Sequence, residues 1–143
     1  MQMIAQAAGG AFTSGRVLKV LPHLVDQGGR IALAPSLYQR DAYQALLRQH
    51  PEMVSTIQYD INCKVSGRTA DTLKLRLSLR TSLRGETDPL ILEAPIKRGI
   101  FGRSWQSLKV DPAVYRSVGN VIAWRAELLD GNTVIGSQDS FFW

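Results

Sequence analysis

Between residues 57 and 65, Ile57, Tyr59, Ile61, Cys63 and Val65 alternate with Gln58, Asp60, Asn62 and Lys64. A period of two puts the first set on one face of a strand and the second on the other, one buried and one wet. A turn at 67–71 separates this run from another. There Leu73, Leu75, Leu77 and Leu79 alternate with Lys74, Arg76, Ser78 and Arg80. Leucine is not a favoured strand residue, but strict alternation outweighs a weak propensity. The two runs read as neighbouring antiparallel strands.

Shorter strands surround them. Residues 15–21 form one, ended or bent by Pro22, and 90–94 form another, marked as a sheet edge by Pro89 and Pro95. A further strand covers 105–110, and 111–119 has room for a helical turn. The C-terminal part reads as a hairpin about the turn Asp130-Gly131-Asn132. Ile122, Trp124, Ala126 and Leu128 share one face of its first strand, and Val121, Arg125 and Glu127 the other. Its second strand runs from Thr133 to about Phe142. Phe141, Phe142 and Trp143 would be costly to leave in water, so at least one ring is expected in the core.

Only one segment has the helical period. Ser36 precedes Gln39 by three residues, as in a capping box. Tyr43, Leu46, Leu47 and His50 then fall on one face, with Asp41 placed for the first turn and Arg48 for the last. Pro51 stops the helix at about His50. The sum is about seven strands and one amphipathic helix at about 36–50, between the first two strands. This pattern resembles an antiparallel β-sandwich of immunoglobulin-like or fibronectin type III-like shape, with a barrel-like closure as the alternative. The single domain is expected over 15–143, preceded by a weakly structured arm at 1–14 that contains Gly9, Gly10, Thr13 and Ser14.

Composition narrows the class. A chain of 143 residues can bury a core without disulfides or metals. Its one cysteine excludes an intramolecular disulfide, and its place on the apolar face makes Cys63 a core thiol. No run approaches the ~18 apolar residues of a membrane span. The first residues lack the basic start of a signal peptide. An extracellular or bacterial-envelope location is expected only by analogy with other sandwich modules.

Motifs for chemistry are absent from the sequence. His23 and His50 have no metal-ligand spacing, no G-x-S-x-G holds a serine, and the glycine loops match neither phosphate-binding pattern. No catalytic residue, metal ligand or cofactor is assigned. Charge is the remaining lead, at +5. Lys74, Arg76 and Arg80 point to one side of a strand, and Lys64 lies on the polar side of the strand before it. Lys97, Arg98 and Arg103 crowd one loop with Ile100 and Phe101. These two groups, Lys64 apart, form the candidate surface, suited to a polyanion, an anionic glycan, a lipid headgroup or an acidic protein. The plainer reading is a solvated strand face that blocks edge association. The expected function is a non-enzymatic binding or assembly module. Its partner would be a protein, including a second copy of the chain, with a carbohydrate next. The alternatives are a polyanion or nucleic-acid binder and, second, an enzyme whose site is assembled from distant residues.

Overall fold

The structure is a computed structural model that describes residues 13–67, 72–97, 99 and 102–143. The strands are β1 (Ser14–Asp26), β2 (Val54–Ser66), β3 (Leu73–Thr81), β4 (Leu90–Pro95), β5 (Arg103–Lys109), β6 (Val121–Asp130) and β7 (Thr133–Asp139). Two helices accompany them, α1 (Leu37–Gln49) and α2 (Pro112–Val118). The sheets run β1-β2-β5 and β4-β3-β6-β7, with every pairing antiparallel. They stack as a sandwich. The fourth strand lies beside the third, whereas in the immunoglobulin constant arrangement it joins the sheet of the first two.

The two long alternating runs supply the core. Tyr59, Ile61, Cys63 and Val65 of β2 face Leu75, Leu77 and Leu79 of β3, and all are at most 2% exposed. Pro22 does not end β1. It pairs with Tyr59 in the middle of a strand that continues to Asp26. β1 is an edge strand, where a missing N–H goes unnoticed. The strand also starts at Ser14, and Thr13 Oγ1 donates to Asp130 Oδ2 at 2.9 Å, so these two residues belong to the sandwich and not to an arm. The rest of the expected arm, 1–12, lies outside the described residues.

α1 starts where the cap predicts, with Gln39 N–H donating to Ser36 Oγ at 3.1 Å. Its buried face differs from the expected one. Tyr43, Gln44 and Leu47 are buried, while Leu46 is 39% exposed. Gln44 is buried because its amide acts as a strand partner. It accepts from Leu24 N–H at 2.7 Å and donates to Leu24 C=O at 2.8 Å, closing part of the β1 edge. Asp41 stands beyond the first turn, and Arg48 lies in the last as expected. α2 is longer than one turn. Asp111 caps it, Pro112 opens it, and Gly119 closes it at φ 83°.

Two expectations for the hairpin fail for identifiable reasons. A register shift opposite Arg80 and Thr81 leaves Ile122 unpaired, so Val121 packs inward and Ile122 turns out, 56% exposed. β7 stops at Asp139, and none of the last three rings enters the core. Phe141 is 94% and Phe142 70% exposed. Trp143 lies on the outer side of the four-stranded sheet, with the Arg80 and Arg125 guanidiniums over its ring at 4.4 and 5.0 Å. Cation–π contact holds it there.

The sandwich is pinned along one side by two glycines. A Cβ on Gly136 of β7 would stand 2.6 Å from the carbonyl oxygen of Gly15 in β1, an atom that cannot rotate away. Gly136→Ala should therefore destabilise the fold by about 1–3 kcal/mol, as overpacking does. Urea denaturation would read this as a lower midpoint at unchanged slope; an unchanged midpoint would mean that the two sheets separate freely at this edge.

Candidate functional site

The sandwich has two outer faces, and their charges are handled differently. On the four-stranded sheet each expected cation has a partner. Arg76 Nε lies 2.9 Å from Glu93 Oε2 and its Nη1 3.9 Å from Glu127, and Lys74 Nζ lies 3.6 Å from Glu93. The Arg76 hydrogen bond, with the charges of Lys74 and Arg76, holds the Glu93 carboxyl below its ordinary value. Arg80 donates to the Trp143 carbonyl at 2.8 Å. Arg125 grips Asp139 with two hydrogen bonds, at 2.8 and 3.1 Å. Lys74, Arg76 and Arg80 share a side as expected, but Lys74 and Arg76 are neutralised there by Glu93 and Glu127, and Arg80 is held by the Trp143 carbonyl and ring.

The expected loop is only partly described. Lys97 and Arg103 are exposed, while Arg98, Ile100 and Phe101 lie outside the described residues. Arg103 opens β5 and so belongs to the other sheet.

Local sequence does not mark that sheet as a surface, although the alternation places Lys64 on its polar side. Register fixes its outer face. Core-facing Ile61, Cys63 and Val65 put Asp60, Asn62 and Lys64 of β2 on the far side. Lys64 pairs with Arg16 on one flank and Arg103 on the other. In the next row Asn62 pairs with Lys19 and Trp105, and in the third Asp60 pairs with Leu21 and Ser107. In the fourth, Gln58 pairs with His23 and Lys109. Arg16, Lys19, Lys64, Arg103 and Lys109 make no ion pair among the described residues. Trp105 stands among them, 53% exposed. A depression of about 310 Å³ opens at the cationic end, lined by Ser14, Gly15, Arg16, Lys64 and Ser66.

The one carboxylate in those four rows is already engaged. Asp60 Oδ2 takes His23 Nδ1 at 2.9 Å, and its Oδ1 takes Ser107 Oγ at 2.6 Å and Gln58 Nε2 at 3.0 Å. Serine, histidine and aspartate meet here, but both partners bind the carboxylate. A catalytic relay needs the serine on the other imidazole nitrogen. The cluster clamps three strands together instead.

Asp26 is a perturbed acid in a concave site, beside Tyr43 and Arg30. Burial alone would raise its carboxyl. Hydrogen bonds from Tyr43 Oη and the Arg30 amide, the Arg30 charge and the Gly28 amide outweigh that and hold it below the usual carboxylate value. These bonds close the turn after β1 and tie it to α1, which is a structural task. Among the described residues no three His, Cys, Asp or Glu side chains converge as metal ligands. None of their helices is long and apolar enough to cross a membrane. Compared with family models, curated proteins and solved structures, the chain matches none.

Two predictions follow from these environments. Cys63 is 0% exposed, and burial pushes its thiol up to about 11. It should resist a thiol-specific disulfide reagent at pH 8 in the native protein and react at once in denaturant; prompt native labelling would contradict the burial. The lowered Asp26 carboxyl contributes stability above its unfolded value, near pH 4, which is lost as pH falls through the folded value. Asp26→Asn should cost about 1–3 kcal/mol at pH 7. Its thermal midpoint should fall less than the native one between pH 5 and pH 2.5, and parallel falls would assign the acid sensitivity elsewhere.

Proposed function

We propose that this domain is a non-enzymatic binding module whose partner is a linear polyanion, held on the outer face of β1-β2-β5. One observation carries the reading. Arg16, Lys64 and Arg103 stand directly opposite one another with no counter-ion among the described residues, while Lys74, Arg76 and Arg125 of the other sheet are paired with acids. Like charges opposite one another on adjacent strands are destabilising, by about 0.2–1 kcal/mol per pair. An external row of negative charge relieves that cost. Lys19 and Lys109 extend the positive field along the sheet, which favours an elongated partner over a single anion. A protein partner is the second reading, supported by Leu33, Leu37 and Tyr38, which are 58%, 67% and 79% exposed around the start of α1.

The test compares Lys64→Glu with Lys74→Glu, which change net charge equally on opposite faces. On a heparin column the native domain should elute late, Lys64→Glu much earlier and Lys74→Glu close to native, with folding checked by circular dichroism. Lys64→Glu should also melt slightly higher, since it turns two like-charge contacts into opposite-charge ones. Equal shifts for both variants would reduce the effect to net charge and remove the face from consideration.

A further inference from the structure

Resting on that reading, we infer that the polyanion is a single-stranded nucleic acid, with its phosphates along the Arg16–Lys64–Arg103 row and a base stacked on Trp105. Trp105 lies in the row next to these cations and two residues from Arg103 on the same strand. Neighbouring strands are about 4.8 Å apart, and same-face residues on one strand about 6.6 Å apart. The indole therefore sits roughly one nucleotide's breadth from the cations. A charged track beside an aromatic platform is the arrangement that binds single strands without regard to sequence, because every base has a π-face.

The depression beside the row fits the phosphate. Its lining offers two cations, Arg16 and Lys64, and two hydroxyls, Ser14 and Ser66, beside the Gly15 backbone. The hydroxyls lie 2.8 Å apart and hold each other in place.

Other polyanions use this face less completely. A duplex keeps its bases stacked inside and leaves Trp105 idle. A highly sulfated glycan is held by its charges and does not need an indole. An anionic membrane presents a plane, which a recessed phosphate site serves poorly.

The experiment uses the whole chain and four probes: a 12-nucleotide oligo(dT), the corresponding dT·dA duplex, a heparin fragment of similar charge, and vesicles of phosphatidylglycerol with phosphatidylcholine. Binding is followed by anisotropy or co-sedimentation and by tryptophan fluorescence. Oligo(dT) should bind most tightly and quench the fluorescence. Trp105→Leu should weaken it about tenfold, and Trp105→Phe should largely restore it. Lys64→Gln should lower the slope of log affinity against log salt by roughly 0.7. Trp105 is half-exposed, so both Trp105 variants should fold. Heparin or duplex binding as tight as oligo(dT), with none of the three sensitive to Trp105→Leu, would overturn this inference and leave the polyanion reading intact. Preference for vesicles would overturn it in favour of a membrane surface. Failure of every probe to bind would overturn both.

Discussion

β2 is the member on which both halves of this molecule depend. It is the middle strand of its sheet, and its side chains alternate without a break from Ile57 to Val65. Its inner set fills the core against β3. Its outer set, Gln58, Asp60, Asn62 and Lys64, fixes the order of rows on the exposed face, because each is paired on both sides. A slip of one residue would exchange the sets and bury Lys64 in place of Val65. Core packing therefore sets the geometry of the outer face, and the cations there are as rigidly spaced as the strands.

The flanking devices protect that register. The Asp60 clamp spans β1, β2 and β5 through His23 and Ser107. Gln44 borrows the hydrogen-bonding pattern of a strand to cover the β1 edge at Leu24, which a helix could not do with apolar side chains alone. The close approach of Gly15 and Gly136 joins the first sheet to the second on one side. The clamp lies on the outer face two rows from the cations, the other two devices sit at the margin of the sheet, and none covers the Arg16–Lys64–Arg103 row.

The sandwich was legible in the sequence because alternation is a local property, and β2 and β3 carry it undisturbed. The helix was legible from its cap and its stop. What the sequence concealed were relations between distant residues. The burial of Gln44 depends on Leu24, twenty positions earlier, and Ile122 turns outward because of a bulge opposite Arg80. The terminal aromatics stay out of the core because two arginines hold Trp143 outside it. The surface residues failed in the same way. Lys74, Arg76 and Arg80 stood out because they are close in sequence, and Glu93 and Glu127, which neutralise the first two, come from other strands. Arg16, Lys64 and Arg103 lie on three strands, so no local window brings them together. The signal available was the polar position of Lys64 in a run whose neighbours were then unknown.

A fold able to pair its charges on one sheet had the means to do so on the other. Glu93 and Glu127 are held by Lys74 and Arg76, and Asp139 by Arg125, so acids opposite bases on neighbouring strands are within the repertoire of this chain. Across the first sheet the positions opposite Lys64 carry two arginines, and the acid in the third row is occupied by neutral donors and an imidazole. Solubility does not require this, since scattered charge serves as well. Blocking edge association does not require it either, because Lys64 is on the central strand. A row of like charge maintained across three strands, beside a half-exposed indole, leaves the isolated domain with a small electrostatic penalty. On the proposed reading, contact with a polyanion would remove that penalty, so part of the affinity would be stored in the free fold.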